Sequence, residues 1–187
     1  MRNAVLLAGI WVVIILVAYA VAYVPDRTPD YGLLSADRRF ESTSGAFGLP
    51  VPAGWSVLET DYGAEIASPV GAVGGWVVVA SGTSAEEALA DAWLAIDPCP
   101  SCTRPTLESS AVETTAGQTR MTFVYEPSGD GTVVHGVVLG EAPQWAALFF
   151  ETGAGSVPSR VSAGVSRMEA GFTVPTPAEP GSAGVAI

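Results

Sequence analysis

The sequence predicts an α+β domain, an antiparallel sheet of about six or seven strands with helices packed on it, set behind one N-terminal transmembrane helix. Three observations carry this. Residues 4–24 are an uninterrupted apolar run. Between residues 47 and 151, short β-branched and aromatic stretches alternate with Gly, Pro and Asp punctuation, as strands separated by tight turns do. Two segments, one after the fourth strand-like run and one near the end, carry apolar residues at helical rather than strand spacing. At 187 residues the chain can build one core plus an anchor, and not two comfortable domains.

No residue between Arg2 and Asp26 is charged. As a helix, residues 4–24 extend roughly 31 Å at ~1.5 Å per residue, the thickness of a bilayer core. Trp11, Tyr19 and Tyr23 supply interfacial aromatics, two of them near the far end, and Pro25 stops the helix. A cleavable signal peptide is the competing reading, because Ala18-Tyr19-Ala20 and Ala20-Val21-Ala22 both have the small-x-small form. The apolar run exceeds the usual ~7–15 residues of a signal peptide, which favours a retained anchor over residues 1–25. Arg2 and the amino group precede the span, and Arg27, Arg38 and Arg39 come after it. The size and acidity of the chain beyond the span, with its cysteines, favour a cytoplasmic N-terminus and a main domain on the periplasmic or extracellular side of the cell membrane.

Residues 26–45 mix Pro, Gly, Ser, Asp and Arg without periodicity and read as a tether. The domain then begins at 46. FGLPVPAGW opens with a short edge-type strand broken by Pro50 and Pro52, and Trp55 leads into a strand over 56–62. Residues 65–68 pair back as a hairpin. WVVVAS, 76–81, has the continuous β-branched character of a strand covered on both faces. Ser84-Ala85-Glu86-Glu87 has the capping-box form, and Ala85, Ala88, Leu89, Ala92, Trp93 and Ile96 then make one apolar stripe, so a helix runs until just before Pro98. Strand-like runs at 106–114, 118–126, 132–140 and 144–151 form a meander. Val157, Val161, Val165, Met168 and Phe172 recur at nearly helical spacing despite Gly164, giving a closing helix. The helices are expected on one side of the sheet. Residues 175–187 have no core-building pattern and read as a Pro/Ala-rich tail.

Charge and residue counts exclude several functions. The chain has 19 acidic and 8 basic residues, all eight of them Arg, for a net charge of −11, so nucleic acid is not an expected partner. Cys99-Pro100-Ser101-Cys102 can close a small disulfide outside the cytoplasm. A thiol-redox role is the alternative, but a loop bracketed by Pro98, Pro100 and Pro105 lacks the helix N-terminus that activates such a cysteine. Two cysteines and a single histidine are too few for a structural zinc site, and Thr103 stands where a c-type haem motif needs His. No metal, cofactor or catalytic residue is expected. His135, on a strand, could ligate or sense pH, with an ordinary surface or paired role as the bland alternative. Carboxylates at Glu59, Asp61, Glu65, Glu126 and Glu151 could act as an acid–base pair only if strand register brought two together. Trp93 reads as core and Trp55 as the cap of the first hairpin, whereas Trp76 and Trp145 fit either the core or an exposed anchor. Partner-contact candidates are Trp11, Tyr31, Arg38, Arg39, Phe40 and Trp145, with the apolar tail end Val185-Ala186-Ile187.

The sequence of FGLPVPAGW, WVVVA, SAEEALADAWLAI, TRMTFVYE, TVVHGVVLG, QWAALFFE and a final helix ending Gly171-Phe172 resembles the PsbP-like α/β/α sandwich family over residues 46–174. The resemblance implies a mostly non-enzymatic exported domain that binds, stabilises or helps assemble larger complexes at a membrane surface, so no catalytic residues carry over. The expected function is a single-span accessory subunit of a larger membrane protein complex, photosynthetic or respiratory by analogy, held to the bilayer through residues 4–24. A tethered module that binds a small ligand or a cell-envelope component is the alternative from a different class. An enzyme would instead require carboxylates clustered around His135.

Overall fold

The computed structural model describes residues 36–69, 71–96, 105–115 and 117–176. The apolar span at 4–24, Trp11, Tyr31, the first part of the tether, Cys99 with Cys102 and the tail beyond 176 lie outside the described residues. Among the described residues, no helix is long and apolar enough to cross a membrane. The elements are β1 (Arg38–Glu41), β2 (Gly48–Val51), β3 (Ser56–Thr60), β4 (Gly63–Ala67), β5 (Val73–Ser81), α1 (Ala85–Ile96), β6 (Leu107–Thr115), β7 (Gln118–Tyr125), β8 (Val133–Glu141), β9 (Gln144–Thr152) and α2 (Ser159–Gly171). Strands β3 to β9 form a seven-stranded sheet in the order β3-β4-β5-β9-β8-β7-β6, antiparallel at every joint. The β-branched run of β5 therefore sits inside the sheet against β9, where apolar side chains on both faces find cover.

That two-faced apolarity corrects the expectation of helices on one side. On one face, α1 buries Ala85, Ala88, Leu89 and Ala92 against Val78, Phe123, Val138, Ala147 and Phe149. On the other, Val161, Val165 and Met168 of α2 close over Val77, Val137, Leu148 and Phe150, together with Phe47, Leu49, Val51 and Trp55. Adjacent residues of β5, β8 and β9 point to opposite faces, so a single helical layer would have left one of these two sets in water. Gly164 in α2 is where the helix meets the Trp55 indole: a Cβ there would stand 2.8 Å from Trp55 Nε1.

A second correction concerns the tether. β1 lies inside the 26–45 segment and pairs with β2, register Arg39↔Pro50 and Phe40↔Leu49, so strand pairing starts eight residues before 46. Pro50 is tolerated because this hairpin stays outside the main sheet. Long-range contacts hold it: Asp37 Oδ1 accepts the Ala53 N–H at 2.9 Å and pairs with Arg167 of α2. Arg39 pairs with Glu41 and donates to Thr173 Oγ1 just beyond α2.

The start of α1 is a variant of the predicted box. The Glu87 N–H donates to Ser84 Oγ at 3.3 Å, as expected. The Glu87 carboxylate reaches one residue further back, accepting Thr83 N–H at 2.9 Å and Thr83 Oγ1–H at 2.7 Å, and these bonds lower its pKa.

The β7–β8 turn is organised around Asp130. Its Oδ1 accepts the Ser128 hydroxyl and the Thr132 N–H, the latter at 3.0 Å, while Ser128 N–H donates to Thr132 O at 2.9 Å. The Ser128 hydroxyl, first, and the Thr132 bonds hold the Asp130 carboxyl down to about 2, against an ordinary 3.8. A depressed folded value means that the stabilisation is complete above the unfolded value and is lost as pH falls through about 2. The Asp130 carboxyl carbon is therefore expected to titrate near pH 2 by NMR, and Ser128→Ala to move that midpoint up towards 3.8.

Candidate functional site at the open sheet edge

The two edges of the sheet are treated differently. β3 is five residues long, and its edge is met by the turn after β1: Glu59 accepts Thr43 N–H at 2.7 Å and Thr43 Oγ1–H at 2.6 Å. The Thr43 hydroxyl, first, and then its amide keep the Glu59 pKa below the ordinary carboxylate range. β6, at the opposite edge, is nine residues long, and all nine are exposed. Among the described strands it pairs only with β7, with a bulge at Glu108 between Leu107↔Tyr125 and Ser109↔Val124. Unpaired backbone donors and acceptors along such a strand are a template for another chain, which is why short or covered edges are the rule.

Register assigns the side chains of β6 to faces. Leu107 and Val112 stand beside Tyr125 and Met121 on the α1 face and remain 40% and 50% exposed. Ser109 and Ala111 stand beside Val124 and Thr122 on the α2 face. There they wall a groove of about 330 Å³ with Thr122, Val124, His135 and Glu169. His135 sits on this face because Val124↔His135↔Phe150 is one cross-strand row, and its ring lies 6.0 Å from that of Phe150. Glu169 comes from the last turn of α2. Its Oε1 lies 3.1 Å from His135 Nδ1, with both side chains about three-quarters buried, at 26% and 25% exposed. Arg120 donates to the Glu169 carbonyl, tying the end of α2 to β7.

This pair differs from the expected carboxylate candidates. Glu151 is directly opposite Val134, next to His135 in sequence and therefore on the other face of β8. Glu65 stands on that other face as well, opposite Trp76, and accepts the Tyr62 hydroxyl. Glu59 is engaged by Thr43 at the far edge. Among the described residues, no three His, Cys, Asp or Glu side chains are placed to share a metal ion. A histidine oriented through Nδ1 by one carboxylate offers its other nitrogen to the groove as a hydrogen-bonding group, beside the hydroxyls of Ser109 and Thr122.

The partner-contact candidates scatter. Arg38 is exposed on β1. Arg39 is engaged with Glu41 and Thr173, and Phe40 packs on Phe47 with ring centroids 5.9 Å apart. Trp145 is 4% exposed and its indole N–H donates to Gly82 O at 3.0 Å, which places it in the core of the α1 face rather than on an exposed anchor. One edge of its surroundings opens into a groove of about 310 Å³ beside Val79, Pro143 and Pro175.

No protein-family model and no curated protein matches this sequence. Among solved structures, it is similar to cyanobacterial PsbP (CyanoP) from Synechocystis sp. PCC 6803, with a TM-score of 0.50 and 14% identity over 75% of this chain and 94% of that one. It is also similar to the Ran-binding protein Mog1p of Saccharomyces cerevisiae, with a TM-score of 0.49 and 11% identity over 75% of this chain and 96% of that one. At 14% identity the likeness to cyanobacterial PsbP speaks for the backbone and not for the site. The fold is PsbP-like: a seven-stranded antiparallel sheet with a helix on each face.

Proposed function

We propose that this protein is a non-catalytic accessory subunit, held in the membrane by residues 4–24, whose PsbP-like domain binds a larger membrane protein complex on the extracytoplasmic side and stabilises it or helps it assemble. The observation that carries this reading is the contrast between the two sheet edges. The five-residue β3 edge is mostly part-buried and is met by Thr43 at Glu59, whereas β6 presents nine exposed residues and its backbone to whatever lies beside it. The apolar segment at 4–24, long enough for a bilayer, supports the membrane location. A photosynthetic or respiratory host is the class that the PsbP-like resemblance suggests. Mild-detergent extraction of the tagged full-length protein from its own membrane, followed by size separation and mass spectrometry, tests the proposal. Stoichiometric co-migration with a large assembly is the expected result.

A second reading, a tethered small-ligand module, is favoured by one specific feature, the groove of about 330 Å³ holding His135 and Glu169, which lies at the small end of ligand-site volumes. Migration as a lone small species in the same experiment would remove the accessory-subunit reading and leave this one.

A further inference from the structure

We infer that β6 is a docking edge for an extended, cationic segment of a partner protein, which adds to the sheet as an eighth strand. The inference rests on the binding role proposed above and specifies its chemistry. The backbone decides that the occupant is extended. An edge strand of nine residues offers its free N–H and C=O groups at strand spacing, and a ladder is the arrangement that satisfies them together.

Side chains decide the rest. On the α1 face, the added strand would run beside Leu107 and Val112, two of the four large apolar residues left exposed among the described residues. On the α2 face it would run beside Glu113 and the rim of the groove that holds Glu169. Successive side chains of the incoming strand alternate between these faces, so apolar residues alternating with Lys or Arg fit both.

The charge distribution points the same way. Among the described residues, β6 itself carries Glu108 and Glu113 and no basic residue. Of the described arginines, Arg38 and Arg39 lie on β1 and Arg160 and Arg167 on α2, and Arg120, on β7, is the one on the strand next to β6. Arg120 stands opposite Glu113 in the ladder but turns to the Glu169 carbonyl. A second copy of this chain is the disfavoured occupant, since pairing two β6 edges would bring four glutamates together between chains that each carry −11.

The experiment uses the full-length protein in detergent micelles and two synthetic peptides, acetyl-(Val-Lys)4-amide and acetyl-(Val-Glu)4-amide. Amide hydrogen exchange is read across 107–115 with each, and affinity is read by fluorescence anisotropy. The expected result is at least tenfold slower exchange within 107–115 with the Lys peptide alone, and at least tenfold weaker binding by the double variant Glu108→Lys, Glu113→Lys. Binding of the Lys peptide that protects other segments and leaves 107–115 unchanged would overturn the inference, as would equal binding of both peptides or no binding. Protection of 107–115 that grows with protein concentration without any peptide would assign the edge to a second copy and overturn it too. The double variant also separates this inference from the accessory role: if the wild type co-migrates with a large assembly and the variant does so undiminished, the subunit reading stands and β6 is not its docking edge.

Discussion

Phe149→Ala is expected to destabilise the domain by about 4 kcal/mol, within the range for emptying a large buried aromatic site. Phe149 is fully buried in β9, and its ring meets Phe123 at 5.3 Å and Trp93 of α1 at 6.0 Å, both edge to face. Those two rings are joined through Tyr125, which lies 5.1 Å from Trp93 and 5.4 Å from Phe123. The substitution therefore removes the β9 ring that packs on both, leaving Tyr125 as the remaining aromatic link between α1 and β7. The cavity cannot collapse easily, because β9 is held by β5 on one side and β8 on the other. Against a total of about 5–15 kcal/mol this is a large fraction. At about 3 °C per kcal/mol for a domain of this size, the melting midpoint should fall by about 12 °C. Near-UV circular dichroism should track the loss, since the cluster includes Trp93 and Tyr125. Phe149→Leu, which keeps most of the volume, should cost about 1 kcal/mol. Val112→Ala, at a site 50% exposed, should stay within about 0.5 kcal/mol. Equal effects at Phe149 and Val112 would contradict this packing.

The same residues show why the order of elements was legible in the sequence and their arrangement was not. QWAALFFE and TVVHGVVLG announce strands by composition, and SAEEALADAWLAI announces a helix by its stripe; all three fall within two residues of β9, β8 and α1 as built. Which face a helix covers is decided by the path of the connection after β5 and before β6, and side-chain spacing does not encode that path. β1 escaped for a different reason. Four residues, Arg-Arg-Phe-Glu, are too few and too charged to show a period, and the contacts that dock them reach Ala53 and Thr173, 16 and 134 positions away from Asp37 and Arg39.

The site was legible in part. Period-two alternation placed His135 on a sheet face, but its partner Glu169 stands 34 residues later on a helix recognised only by its apolar positions. Strand register, which a single sequence does not contain, separates Glu151 from His135. The open edge did leave a trace: LESSAVETT is the one long strand whose apolar residues, Leu107, Ala111 and Val112, obey neither a buried alternation nor a continuous run. Reading that irregularity as an edge required knowing that β7, and not β5, would be its neighbour.

Gly136→Ala is expected to cost about 3 kcal/mol, the upper end for overpacking, although it adds a single methyl group. Gly136 lies in the row Phe123↔Gly136↔Phe149, on the face where those two rings meet. With no side chain between them, the rings close over the glycine to 5.3 Å. A Cβ at 136 would stand 1.8 Å from the Leu148 carbonyl oxygen and 3.2 Å from Phe123 Cζ. The carbonyl belongs to β9 near the middle of the sheet, so relief requires parting two strands that are each paired on both sides. Gly74 in β5 provides the opposite case, because a Cβ there meets nothing within 4 Å. Gly74→Ala should stabilise by about 0.5 kcal/mol, through the lower entropy of the unfolded chain. Urea unfolding of the two variants beside the parent decides the matter: midpoints displaced in opposite directions, with the larger displacement at Gly136, are the consequence of β8 and β9 approaching each other as closely as they do here.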